Sequence, residues 1–254
     1  ARNSFEVRKK CKGKYVTGIE GDDFWPDENK LQKQVDYLEE NPEIIGVASN
    51  HYLVDSDGKN CRKALSPRYC NRIYRLKNYL HEGYTFHINT LMNRNFLPTS
   101  GERYEKVRFS ADTMGDIIRY CMLLDKGNIY VMGDVLLSHR SASDDDIASY
   151  TIKKRNNMIE YSYKYINIVR ALEWYFEGKH DLSSLIANRT ASTLFSYIFK
   201  TRNIEKHDLK KYMKNLPLNI RVLSYCKLIK NILIIVRRRI LRMIWGKKRD
   251  YAIK

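Results

Sequence analysis

The sequence predicts an α/β domain followed by an all-α appendage, and three features carry that expectation. Short runs rich in Val, Ile, Tyr and Thr alternate with helical patterns over residues 1–148, one of those strands ends abruptly in three carboxylates, and beyond residue 148 only helical periodicity remains. Strands that alternate with helices build open sheets, and such sheets bind ligands in the crevice beyond the carboxyl ends of their strands. At 254 residues the chain can bury a substantial core, as one large domain or two.

Residues 14–19, KYVTGI, read as a near-apolar strand suited to burial on both faces. Glu20, Asp22 and Asp23 follow at once around Gly21, and Pro26 leads into a helix over residues 27–40. Carboxylates gathered at a strand end suit a hard divalent cation that keeps positions open for substrate phosphates. Acidic residues also favour helix starts, and the triplet taken alone reads sooner as a helix cap than as a metal site. Asn41-Pro42 stops the helix, and residues 44–54 form a long β-branched strand. Asp55-Ser56-Asp57-Gly58 then reads as a turn, not as a second metal site.

A helix is expected over residues 69–80 and a strand over 84–97, YTFHINTLMNRNFL, in which a lone His87 beside Phe86 and Ile88 reads as structural. Residues 116–126 place Ile117, Tyr120, Cys121, Leu123 and Leu124 on a wide apolar helical face that Gly127 ends. Asp116 opens that helix, where composition alone makes it a cap. A strand over 129–137 follows, and Arg140 opens a polar loop, 141–146, placed to close over a diphosphate.

Five cysteines, odd in number and without metal-ligand spacing, point to a reduced cytosolic setting. The charge is uneven: residues 200–254 carry 17 Lys or Arg against Glu205, Asp208 and Asp250, a net +14 of the chain's +17. Helices are expected at 150–177, 182–200, 208–215 and 218–245. In the last, Ile229, Leu233, Val236, Ile240 and Ile244 share one face, with Lys227, Lys230, Arg237, Arg238 and Arg242 crowding the rest. That pattern fits a helix lying in a membrane interface, with Trp245 at its end, and it fits equally a stripe packed on the preceding helices. No apolar run is long enough to span a bilayer.

Taken together, Ala1-Arg2-Asn3, Gly13-Lys14-Tyr15, Glu20-Gly21-Asp22-Asp23-Phe24-Trp25 and Lys30-Leu31-Gln32-Lys33-Gln34-Val35 resemble glycosyltransferase family 2. Asp116, followed by Lys126-Gly127 and Arg140 without gaps, resembles that family's second signature. The resemblance implies a GT-A (Rossmann-like) mixed sheet with helices over residues 1–148, truncated at the N-terminus because the family's base-binding β-α units would precede Ala1. A helical region, 149–254, follows it. The implied reaction is inverting, metal-dependent transfer of a sugar from a nucleotide-diphosphate sugar, foremost a UDP-sugar, to a hydroxyl of a glycan or glycolipid acceptor. In those terms Mg or Mn is held by Glu20, Asp22 and Asp23, the donor meets Arg2, Asp22, Asp23 and Arg140, Asp116 is the catalytic base, and Asn89, Thr90 and Arg94 face the acceptor. Two positions depart from the pattern: Glu20 stands where the family has Asp, and His139 where it has Tyr.

The expected location is cytoplasmic, at the inner face of the cell membrane, through an anionic surface that contacts Leu218 to Trp245. No nucleic-acid partner is expected: a nucleic-acid-binding module accounts for the basic tail but leaves the acidic cluster and Asp116 without a role. A third reading is a fragment that keeps the fold and the membrane contact but lacks donor binding.

Overall fold

The computed structural model describes residues 2–59, 62–83, 85–96, 101–110, 114–140, 153, 156–199 and 203–245, with side chains from residue 5 to residue 241. The chain divides into two compact units, Ala1–Asp146 and Ile147–Lys254.

The first unit contains α1 (Arg2–Lys9), β1 (Tyr15–Thr17), α2 (Lys30–Glu40), β2 (Ile44–Val54), β3 (Arg62–Lys63), β4 (Arg72–Tyr74), α3 (Leu76–Glu82), β5 (Met92–Arg94), α4 (Gly101–Arg108), α5 (Gly115–Lys126) and β6 (Asn128–Arg140). Its sheet runs β1-β5-β2-β6-β4, with β3 paired to β2 off that path. Among the described strands only β2 and β6 are parallel; the other pairs are antiparallel. The unit is therefore α/β with a mixed open sheet and helices, an arrangement compatible with a Rossmann-like fold.

The two long strands are the centre of the core, because their β-branched and aliphatic residues have neighbours on both faces. Ile44, Val47, Ala48 and Val54 of β2 are buried, as are Ile129, Val131, Leu136 and Leu137 of β6. α5 turns Ile118, Cys121, Met122 and Leu123 inward, and Leu38 of α2 packs with Ile44, Val47 and Met92. Gly46 lets β2 approach β5 closely, since a Cβ there would stand 3.0 Å from the Leu91 side chain and 3.1 Å from the Met92 carbonyl.

Several elements differ from the expectation, each for a local reason. β1 is a three-residue edge strand rather than one buried on both faces, and only Val16 of it is buried. Residues 84–97 are not one strand. His87 caps a 3-10 turn over Ile88–Thr90, where its Nδ1 accepts from the Asn89 amide and the Thr90 hydroxyl donates to its carbonyl at 2.6 Å. Such side-chain bonds offer the backbone an alternative to the sheet ladder, so only β5 pairs. The helix expected over 69–80 is instead β4 followed by α3. Asn71 fastens that strand to β6 by donating its amide to the Val131 carbonyl and accepting from the Gly133 amide.

α2 starts at Lys30 because Asp27 folds back onto the Asn29 amide and the Lys33 ammonium. β6 continues past residue 137 to Arg140, and α4 lies in a stretch for which no helix is expected. Asp55 does form a turn: the Gly58 amide donates to its carbonyl at 3.0 Å, and its carboxylate accepts from the amides of Asp57 and Lys59.

The second unit contains α6 (Met158–Phe176), α7 (Ser183–Ile198), α8 (Lys206–Lys214) and α9 (Leu218–Trp245). Buried polar contacts register its helices: the Ser162 and Thr193 hydroxyls lie 3.0 Å apart, and those of Thr190 and Tyr212 2.8 Å apart. α9 packs against α7, and Ile220, Ser224 and Leu228 are among its buried positions. The apolar stripe further along is not. Ile229 is 56% exposed and Leu233 62%, with Val236 and Ile240 exposed as well, so these four do not pack on the preceding helices. The side chains of Arg242, Ile244 and Trp245 lie outside the described set. Among the described residues no helix is long and apolar enough to cross a membrane.

Candidate functional site

The acidic loop leaves the edge strand β1, yet it is clipped to the far end of β6. Phe24 and Ser138 form an antiparallel bridge, with N···O distances of 3.1 and 2.8 Å in the two directions. This non-local pairing brings Asp23 beside the last two residues of β6. Asp23 Oδ1 accepts from the Arg140 amide at 3.0 Å and lies 3.0 Å from His139 Nδ1. Its Oδ2 accepts from Asn89 Nδ2 at 2.9 Å, and the same nitrogen donates to Glu20 Oε2 at 3.1 Å. Asn89 thus ties two carboxylates together, and the Asp23 side chain is 0% exposed.

His87 joins this group from the turn that follows. Its ring centroid lies 4.2 Å from that of His139 and 5.4 Å from that of His51. Asp23, His87 and His139 each offer one ligand atom, all within 4.8 Å of one another. The electrostatics suit a cation. Burial, with the neighbouring carboxylates adding to it, raises the Glu20 carboxyl above its usual range. Burial works against the Asp23 carboxylate too, but hydrogen bonds from His139, Asn89 and the Arg140 amide hold it below the usual range. Burial and the other imidazoles push His87 down to about 4 and His51 to about 3, so both are neutral near pH 7, the form in which a histidine ligates. One carboxylate and two imidazoles suit Mn²⁺ and its first-row neighbours better than Mg²⁺, which prefers oxygen.

The gathered set differs from Glu20, Asp22 and Asp23. Asp22 is exposed and stands outside the group, and Glu20 is tied to it through Asn89. His87 and His139 enter it. The only sequence-level signal for His139 was its place beside Arg140 where a Tyr was expected; for His87 there was none.

No family model matches this chain, and no curated protein matches it.

Asp116 sits in the first turn of α5, but it is not the cap. Met114 holds that position in a left-handed conformation at φ 58°, with no side-chain cap bond. The Asp116 carboxylate raises the pKa of Glu20 and of His87 through its field, so it faces the same region as the acidic loop. It also lines a cavity with Arg8, Arg108 and Arg119.

Asn89 sits on the carboxylates. Thr90 is buried and shapes the turn that carries His87. Arg94 belongs to the framework: its guanidinium donates to the carbonyls of Ile44, Leu38 and Asn41 and to the Tyr15 hydroxyl, closing the C-terminal end of α2. Arg140 contributes its amide, and its Nε is buried without a hydrogen-bond partner among the described residues. Arg2 lies on α1 with its side chain outside the described set, and loop 141–146 lies outside the described residues.

The buried imidazoles make stability depend on pH in a stated direction. His51 titrates near 3 when folded against 6.5 when exposed, so between those values the unfolded chain binds more protons. Stability is intact above 6.5 and falls on acidification, by about 1.4 kcal/mol per pH unit for an imidazole held neutral. His139, raised by its hydrogen bond to Asp23, works the other way: its contribution is full below 6.5 and is lost as pH rises through its raised value. Below 6.5 His139 is protonated folded and unfolded alike and adds no slope, so His51 and His87 set the direction there. The urea midpoint of the metal-free chain should therefore drop from pH 7 to pH 4.5, and His51→Gln should flatten the drop; an unchanged slope in that variant would show that His51 is not held neutral.

Proposed function

We propose that the first unit is the metal and acceptor side of an inverting, GT-A type glycosyltransferase that acts on a nucleotide-diphosphate sugar. The observation that carries this reading is the convergence of Asp23, His87 and His139 where β6 ends, with Asp116 facing the same region from the start of α5. A divalent cation, Mn²⁺ ahead of Mg²⁺, would be held by those three residues and would supply Lewis acidity toward the leaving diphosphate.

Asn89 orients the carboxylates, as partners of metal ligands commonly do. The Arg140 guanidinium offers positive charge toward the diphosphate. Asp116 accepts the proton of the acceptor hydroxyl as its oxygen attacks the anomeric carbon. The bond from that carbon to the diphosphate oxygen breaks on the opposite face, and the configuration inverts. The exposed stripe on α9, flanked by Lys230, Arg237, Arg238 and Arg239, supports a peripheral site of action on an anionic membrane, where a glycan or glycolipid acceptor is met.

Mn²⁺ titration of the chain, followed by water-proton relaxation, tests the metal set. Asn89→Ala should weaken binding by about 10- to 100-fold, the usual effect of removing a partner that orients a ligand. His139→Ala should weaken it at least as much. Asp22→Ala should stay close to the parent. Loss of binding in Asp22→Ala with retention in His139→Ala would return the site to the acidic loop alone.

A further inference from the structure

We propose that His51 is a further ligand of the cation site, recruited by Zn²⁺ and not by Mn²⁺, so that zinc closes the site against a substrate diphosphate. The inference rests on the reading of Asp23, His87 and His139 as a metal set, which it deepens by naming how the site discriminates between metals. His51 lies on β2 where the ladder to β6 slips: Asn50 faces Val135 and Tyr52 faces Ser138, so β6 takes three steps where β2 takes two. Irregularities of this kind re-aim side chains beside functional sites. The backbone there is held on both sides, because the His51 amide donates to Asn50 Oδ1 and the His51 carbonyl accepts from the Ala64 amide, each at 2.8 Å. Any adjustment at this position therefore falls to the ring.

That ring is buried without being satisfied. His51 is 7% exposed, and its Nδ1 is buried with no hydrogen-bond partner among the described residues. Buried ring nitrogens are ordinarily paired, and one left over beside other polar groups points to an ion or a water as its partner. The ring centre lies 5.4 Å from that of His87 and 6.4 Å from that of His139. Two imidazoles on one tetrahedral ion, with bonds from zinc to nitrogen of about 2.0–2.1 Å, have ring centres about 5 Å apart. His51 and His87 already stand near that separation, and His51 and His139 reach it by closing about 1 Å. Among the described residues, only Asp23, His87 and His139 have ligand atoms gathered within 4.8 Å of one another, so His51 stands just outside the set until its ring turns.

The two metals treat this further imidazole differently. Zn²⁺ binds nitrogen donors more tightly than Mn²⁺ does and settles in tetrahedral sets. One carboxylate and three imidazoles complete such a set, and a zinc ion held by four protein ligands keeps no position for a substrate oxygen. Mn²⁺ favours oxygen and octahedral geometry, so with Asp23, His87 and His139 alone it retains positions for diphosphate oxygens and has no need of His51.

Titration of the chain with Zn²⁺, Mn²⁺ and Co²⁺ tests this, with Co²⁺ as the visible reporter because its absorption is intense in tetrahedral and weak in octahedral sites. The parent should show the intense bands. His51→Gln should show the weak ones, with Zn²⁺ affinity lowered by at least about tenfold and Mn²⁺ affinity unchanged. Zinc-edge X-ray absorption of the parent should count three imidazoles, a result that does not depend on any variant folding. The inference is overturned by a count of two imidazoles, by intense bands that persist in His51→Gln, or by Mn²⁺ weakened in that variant as much as Zn²⁺. Zinc binding that is lost in Asp23→Ala and His139→Ala but indifferent to His51→Gln removes the further ligand alone and leaves the metal set standing. No zinc binding by the parent removes both. Zinc held through His51 by a chain that gives no Mn²⁺-dependent transfer from a UDP-sugar condemns the transferase reading and upholds this inference.

Discussion

Asp116→Asn should lower sugar transfer by about 10²- to 10⁴-fold, the usual contribution of a positioned base, while Mn²⁺ affinity stays at the parent value. Asn keeps the shape of the side chain and removes only its ability to take a proton, so the substitution separates chemistry from architecture. The helix start does not depend on this carboxylate, because Met114 occupies the cap position. Its neighbours are three guanidinium groups and, through its field, Glu20 and His87. A structural carboxylate in that setting would reveal itself as lost stability without a large rate effect. Single-turnover transfer with saturating donor is the measurement, and a parent-like rate would assign the base elsewhere.

The second large effect concerns α9. Anionic vesicles should float the chain, and Leu233→Asp with Ile240→Asp should abolish flotation although the net charge remains strongly positive. The reason is geometric: Ile229, Leu233, Val236 and Ile240 are exposed together, while Ile220, Ser224 and Leu228 are buried. Each basic residue near such a surface contributes roughly 1 kcal/mol and is screened by salt; apolar burial is not screened in that way. Flotation should weaken but persist at high salt, and it should weaken further in a variant with Arg237, Arg238 and Arg239 changed to Gln. If the Asp variant still floats, or if single-stranded or duplex DNA binds more tightly than anionic lipid, the assignment of this stripe to a membrane surface is wrong.

Much of the first unit could be read from sequence because local patterns decide it. β2 and α5 follow from unbroken β-branched and helical runs, and the turn at Asp55 from its Asp-Gly ending. The acidic loop was legible because three carboxylates follow a strand directly. Which of them meets His139 was not, since the Phe24 to Ser138 bridge that presents Asp23 to it joins residues more than a hundred positions apart. His87 escaped because its stretch alternates like a strand, whereas its own ring and the Thr90 hydroxyl bend the backbone into a 3-10 turn. The exposure of the α9 stripe was equally beyond reach: apolar spacing marks a face but does not say what covers it, and only the burial of Ile220 and Leu228 on a different part of the helix separates the two readings.

In the proposed reaction Asp23, His87 and His139 would hold the cation on which sugar transfer depends. Turnover of a UDP-sugar by the chain is the measurement. Turnover should stop with chelator, return with Mn²⁺ more fully than with Mg²⁺, be absent in Asp23→Ala, and give a product of inverted anomeric configuration. Turnover indifferent to chelator and to Asp23→Ala, or a product with retained configuration, would contradict it.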